Sequence, residues 1–259
     1  MCNFSQIDTN AIQTAIIDGM RNGYNKCLMY LGETEEGLSS VREYILTVSV
    51  ADSLNKEYLA RYQIRVEHPY QEFSDKAFPP FAFRNNNLLD CKYLTQVFKK
   101  PDSRKIDIGL STANGQRSLC GIEIKAINQP FSKIKNDIDR LSSALDRKDE
   151  VGDSSLQACF VTFLIRSDKR FEYVSCADVQ KSKKKCRAKI EKNLLSNLRS
   201  KYKDLIYTVT CYDIDTSTVE QESKRVFDEG EDFSHRTRAI FGYIIKILPD
   251  KLDKDNNHD

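Results

Sequence analysis

Residues Arg104 to Ile127, RKIDIGLSTANGQRSLCGIEIKAI, decide the reading of this chain. Asp107 interrupts Ile106 and Ile108, while Glu123 and Lys125 interrupt Ile122, Ile124 and Ile127. Successive side chains of a strand point to opposite faces, so both halves of the stretch alternate between an apolar and a charged face. Asn114-Gly115 between them marks a hairpin turn, because both residues tolerate the positive φ of tight turns.

The hairpin register follows from the isoleucines. If Asn114 and Gly115 alone formed the loop, Asp107 would lie opposite Ile122, and the isoleucines of the two strands would fall on different faces. A three-residue loop, a type I turn followed by Gly115 in the left-handed region, shifts the pairing by one and restores both faces. Asp107 then shares a face with Glu123 and Lys125. The apolar pattern alone brings the three charged groups together.

Two carboxylates in one partly buried site repel each other and raise at least one pKa unless a cation neutralises them. Mg²⁺ suits such a site, since it takes carboxylates, a backbone carbonyl and waters, and Ile124 offers a carbonyl between Glu123 and Lys125. Lys125 would orient or help deprotonate a metal-bound water, and the metal would stabilise charge building on a scissile phosphate. The competing reading is an exposed Glu123–Lys125 ion pair on a solvated sheet face.

Working outward, 259 residues suffice for one large domain with insertions, and 40% hydrophobic with 30% charged residues is ordinary for a soluble globular protein. A formal charge of +2 names no partner. The N-terminal MCNFSQIDTN has neither a basic start nor an apolar run, and no stretch approaches the length of a membrane span, so a cytoplasmic protein without membrane association is expected. The eight cysteines include no C-x-x-C pair and read as free thiols. With only three histidines, zinc-finger and H-N-H sites find little support.

Around the hairpin, Thr9 to Leu31 is expected as a helix carrying Ile12, Ile16, Ile17 and Met20 on one side, and a second helix should run through Val41, Ile45 and Val48. Tyr62 to Val66 reads as a strand. Residues 69–103 form a long insertion rich in Pro and aromatics, in which Arg84 and the adjoining Asn85, Asn86 and Asn87 are candidate substrate contacts. Pro130 opens a helix with Ile134, Ile138, Leu141 and Leu145 at helical spacing. Leu156 to Ile165 is an apolar run that reads as a strand covered on both faces. A basic helix from about Lys183 to Tyr202, a strand from Leu205 to Ile214 and a final helix from Ser234 to Leu248 complete the order, with a polar tail beyond Pro249. The basic run, Lys184 and Lys185 included, either tracks a nucleic-acid backbone through counterion release or forms a solvated helix face.

This order predicts an α/β fold, a mixed sheet with helices on both faces. Here the chain resembles the PD-(D/E)XK nuclease superfamily, the restriction-endonuclease-like fold: Asp107 matches the motif aspartate, and Glu123-Ile124-Lys125 the E-x-K of the next strand. Pro101-Asp102 also precedes Glu123, but it lies in KKPDSRK, where a turn is expected, so Asp107 is preferred. The resemblance covers roughly residues 33 to 214, leaving residues 1–32 as an N-terminal helical extension and 215–259 as a C-terminal helix and disordered tail.

The resemblance implies an endonuclease that cuts DNA with Mg²⁺, or Mn²⁺ in its place, with Asp107, Glu123 and the Ile124 carbonyl as metal ligands and Lys125 as the catalytic lysine. It implies a further Glu on the preceding helix, best matched by Glu43, with Glu36 as the fallback and Glu67 weaker. The alternative for Glu43 is an ion pair with Arg42 or Arg61. Lys133 and Lys135 are the candidate phosphate contacts on the helix after the motif. The setting it implies is prokaryotic restriction or anti-phage defence. Some relatives cut RNA, and without a Walker-type loop any ATP-driven translocation would need an ATPase or helicase partner subunit. The other reading is a non-catalytic nucleic-acid-binding or assembly subunit that keeps the fold, its extra terminal helices serving self-association.

Overall fold

The computed structural model describes residues 6–31, 42–58, 61–77, 104–146, 148–149, 152–166, 176–214 and 240–250. Helices α1 (Thr9–Leu31) and α2 (Glu43–Tyr58) precede strand β1 (Tyr62–Pro69) and the short α3 (Tyr70–Asp75). Strands β2 (Lys105–Thr112) and β3 (Ser118–Lys125) form the hairpin. Helix α4 (Phe131–Asp146), a two-residue ribbon of β4 (Lys148–Asp149) and β5 (Gly152–Asp153), and β6 (Ala158–Arg166) follow. Then come α5 (Cys176–Ile190), a π-helical turn (Glu191–Leu195), α6 (Ser196–Lys201), β7 (Leu205–Asp213) and β8 (Ile240–Pro249).

The main sheet has six strands in the order β1-β2-β3-β6-β8-β7, and the β3–β6 pair is parallel while its other pairs are antiparallel. Helix α4 makes the crossover that a parallel neighbour requires. One face buries Ile108, Leu110, Ile122, Ile124 and Phe160 against Ile12, Ile16 and Met20 of α1 and Leu46, Val50 and Leu54 of α2. The other buries Val161, Phe163 and Ile245 against Ile134, Ile138 and Leu141 of α4 and Ile190, Leu194, Leu195 and Leu198 of the basic segment. The expected mixed sheet flanked by helices is therefore present. The N-terminal helix is half of one covering layer, and α2 packs so tightly on it that a Cβ at Gly19 would come within 2.4 Å of the Val50 Cα.

The C-terminal helix expected from Ser234 to Leu248 is not formed over its described part. Ile240–Pro249 is instead a strand inserted between β6 and β7, so the sheet draws on residues beyond 214. The reason is composition: IFGYIIKILP is almost continuously apolar, so its period distinguishes nothing, and its isoleucines and aromatics favour a strand buried on both faces. Gly242 fits there because the Tyr212 ring lies where a Cβ would stand, 2.1 Å away. Tyr212 in turn bonds Thr162 at 3.0 Å inside the core.

The hairpin has the expected register by a different device. Ile108 pairs with Ile122 and Leu110 with Cys120, which sets Asp107 opposite Glu123. The shift is not in the turn, where Ala113 to Gln116 are closed by Thr112 N–H donating to Arg117 O at 2.9 Å. It lies between Leu110 and Ser111, where the register jumps at Leu119. Leu119 and Cys120, although consecutive, both enter the core beneath α1 and α2, which only a bulge allows. Gly115 does adopt the left-handed conformation, at φ 67°.

Cys27, Cys120, Cys159, Cys186 and Cys211 are free thiols. Among the described residues no helix is long and apolar enough to cross a membrane. Glu36, Arg84 to Asn87 and Asp102 lie outside the described residues.

His68 on β1 is 2% exposed, and neither ring nitrogen has a hydrogen-bond partner among the described residues. Burial, helped by the Arg65 charge, pushes its pKa down to about 4. Because the folded value is depressed below the ordinary 6.5, stability is expected to fall as pH drops from about 6.5 through about 4, by on the order of 3 kcal/mol. In chemical denaturation across that range, His68→Leu should flatten the acid limb. A limb equally steep in the variant would show that His68 is not its source.

Candidate active site

The site stands where β3 ends, between the start of α2 and the middle of α4. Alternation along β2 and β3 turns Asp107, Glu123 and Lys125 away from the isoleucine face, and Glu43 reaches in as the first residue of α2. Helix α4 contributes Asp137 and Arg140.

Lys125 is the hub. Its Nζ lies 3.3 Å from Glu43 Oε1, 3.4 Å from Asp137 Oδ2, 3.6 Å from Asp107 Oδ2 and 3.7 Å from Glu123 Oε2. It also donates to the Ile124 carbonyl at 2.9 Å. Asp107 is held by the Ile124 N–H, which donates to Oδ2 at 2.7 Å, so a backbone bond across the hairpin fixes this carboxylate. Arg140 Nη2 donates to both Glu123 Oε1 and Asp137 Oδ1.

These contacts decide between the two readings of the Glu123–Lys125 pair. The Glu123 side chain is 2% exposed and that of Lys125 12%, so the pair is largely withdrawn from solvent and not part of a solvated sheet face. Burial, together with the neighbouring Asp107 and Asp137 charges, holds the Glu123 carboxyl well above its ordinary range, although Arg140 and Lys125 oppose the rise. Burial works against the charge on Lys125, but the surrounding carboxylates outweigh it and hold the pKa above its ordinary value. In this arrangement Lys125 is an ammonium, suited to donating hydrogen bonds and unsuited to taking a proton. Glu43, for which Arg42 and Arg61 were the alternative partners, turns to Lys125.

The other candidates lie apart from this cluster. Lys133 is exposed and Lys135 partly so, on the first turns of α4, and neither bonds to the cluster among the described residues. Lys184 and Lys185 are exposed on α5, whose Lys183 pairs with Asp213 of β7 at 2.5 Å. From β3 to β7 is three strand spacings, about 14 Å. Glu67 is occupied by Lys105 at 2.9 Å and has φ 53°.

Asp137 and Arg140 are site residues that the motif reading passes over. A signal for Asp137 was present: Ile134, Asp137, Ile138 and Leu141 recur three and four apart, so the aspartate sits within the buried stripe of α4. A carboxylate there needs a charged partner inside the protein.

Four carboxylates meet two cationic side chains here, leaving two negative charges over when all are ionised. Hard oxygen donors with a surplus of negative charge have the chemistry a divalent cation such as Mg²⁺ requires. The set is not prearranged, because Lys125 Nζ takes the central position and the Ile124 carbonyl. Among the described residues no three His, Cys, Asp or Glu side chains form a ready-made metal-binding group. No family model, curated protein or solved structure matches this chain.

An elevated Glu123 pKa stabilises the fold below the ordinary glutamate value, a contribution lost as pH rises through the elevated one. Glu123→Gln cannot ionise, so its melting temperature, measured without metal, is expected to gain on the wild type as pH rises above the ordinary glutamate value. A difference that stays constant or shrinks would show that the Glu123 carboxyl is not strained by ionisation.

Proposed function

We propose that this protein is a divalent-metal-dependent endonuclease of the PD-(D/E)XK kind, hydrolysing phosphodiester bonds of DNA. The observation that carries this reading is the convergence of Asp107, Glu123 and Lys125 on adjacent strands of a hairpin, Glu123 buried and the other two largely withdrawn from solvent, joined by Glu43 from the preceding helix. The order of helix, antiparallel strands, crossover helix and parallel strand supports the same reading. The resemblance adds prokaryotic restriction or anti-phage defence as the setting, with an ATPase or helicase subunit as the partner any ATP-driven translocation would need.

Asp107, Glu123 and the Ile124 carbonyl would hold the cation, Mg²⁺ or Mn²⁺, with Glu43 as accessory acid. When bound, such an ion supplies Lewis acidity toward a phosphoryl oxygen and acidifies bound water. The chain's own groups do the positioning. The Ile124 N–H fixes Asp107, and the Lys125 ammonium is held within 4 Å of four carboxylates and bonded to the Ile124 carbonyl, which narrows its range of positions. As a donor beside the carboxylates, that ammonium orients the attacking water and stabilises negative charge on the phosphate. Lys133 and Lys135 on the first turns of α4, and Lys184 and Lys185 on α5 toward the far edge of the same sheet face, would add backbone contacts whose strength falls with salt.

A second reading has its own observation. Lys125 and Arg140 already act as internal counter-ions to the carboxylates, as in a retired site of a nucleic-acid-binding or assembly subunit. Cleavage separates the two. On supercoiled plasmid, linear duplex and single-stranded DNA with Mg²⁺ or Mn²⁺, Asp107→Asn and Lys125→Met are each expected to cut at least about a hundredfold more slowly than the wild type. Asparagine keeps an acceptor for the Ile124 N–H, so its loss of activity would not stem from the hairpin. Wild-type cutting that survives both substitutions would refute the site.

A further inference from the structure

We infer that Arg140 is a resident counter-cation for Glu123 that a divalent metal ion must displace, with Asp137 as the carboxylate that retains Arg140 when it leaves. This rests on the metal-dependent reading above and adds a barrier built into the same site. The contested atom is Glu123 Oε1, to which Arg140 Nη2 donates. A ligand oxygen cannot serve a guanidinium and a metal ion at full strength together, so arrival of one weakens the other.

The grip is built to release. Arg140 reaches Glu123 and Asp137 through one nitrogen, Nη2, the second contact being 2.9 Å. A two-pronged pairing, the stronger arrangement of arginine with a carboxylate, is not made. Its Nε is buried without a hydrogen-bond partner among the described residues. Asp137 and Arg140 are three residues apart on α4 and face each other, so a side-chain rotation moves the guanidinium wholly onto Asp137 with no shift of the helix. The Tyr70 ring lies 5.7 Å from the guanidinium carbon, and its hydroxyl donates to the Arg140 carbonyl at 3.3 Å, which steadies the backbone while the head group turns. A purely structural arginine would be expected to use its fork and leave no buried donor idle.

The inference reverses the usual sign of a substitution. Losing an arginine that merely props up Glu123 would weaken metal binding, whereas losing a competitor strengthens it. In calorimetric titration of the whole protein with Mn²⁺ and no DNA, Arg140→Gln should bind about tenfold more tightly than the wild type, equivalent to about 1.4 kcal/mol. Arg140→Lys, which keeps the charge, should stay near the wild-type affinity, and adding Glu123→Gln should abolish the gain. Glu123-dependent binding that is unchanged or weaker in Arg140→Gln overturns the inference and leaves the metal reading intact. Failure of both proteins to bind Mn²⁺ overturns both. If Arg140→Gln does not melt cooperatively, the wild type decides: its Arg140 Nε–H resonance, assigned by its absence from Arg140→Lys, should shift on saturation with Mg²⁺, and a resonance that does not move refutes displacement.

Discussion

The ammonium of Lys125, held among the carboxylates of Glu43, Asp107, Glu123 and Asp137, is the interaction on which this half of the molecule depends. Each carboxylate comes from a different element, so the one charge ties α2, β2, β3 and α4 together at the end of the hairpin. Buried ion clusters of this kind contribute little net stability against well-packed apolar groups, because desolvation offsets much of the attraction. Retaining one therefore calls for a reason other than stability, and the proposed chemistry at a phosphate would supply one.

Everything that brings those groups into range is ordinary packing. The bulge at Leu119 moves the pairing by one residue, turning Asp107 toward Glu123 while keeping Ile108, Ile122 and Ile124 beneath α1 and α2; Ile106 packs with the opposite cluster. The close approach of α2 to Gly19 and Gly23 of α1 seats the helix whose first residue is Glu43. The apolar stripe of α4 sets its rotation over the sheet, and that rotation carries Asp137 and Arg140 over Glu123. The site is thus an outcome of two hydrophobic layers meeting the same hairpin from opposite faces.

Much of this was legible in the residues. The isoleucine alternation was enough to require the pairing of Asp107 with Glu123, since the wrong register would have split the isoleucines of the two strands between different faces. It could not say where the extra residue would sit, because that depends on which of several apolar side chains the overlying helices accept. Helix α4 was visible in its period, yet Arg140 was not visible as a site residue, because its role comes from the helix's rotation against β3, a tertiary property. Ile240–Pro249 was misread as helix for a related reason: a run apolar on all sides has no period to betray it, and only its place between β6 and β7 makes it a strand. Glu43 lay between, its helix readable but its partner, Lys125 instead of a nearby arginine, set by how α2 docks.

The most direct measurement is a crystal structure of the protein grown with Mn²⁺, with anomalous diffraction locating the ion. A peak within coordination distance of Asp107 and Glu123, with the Lys125 ammonium moved from the centre of the carboxylates, is the result expected of a metal-dependent phosphodiesterase. Lys125 and Arg140 keeping their present partners, with no peak among these side chains at saturating Mn²⁺, would contradict it.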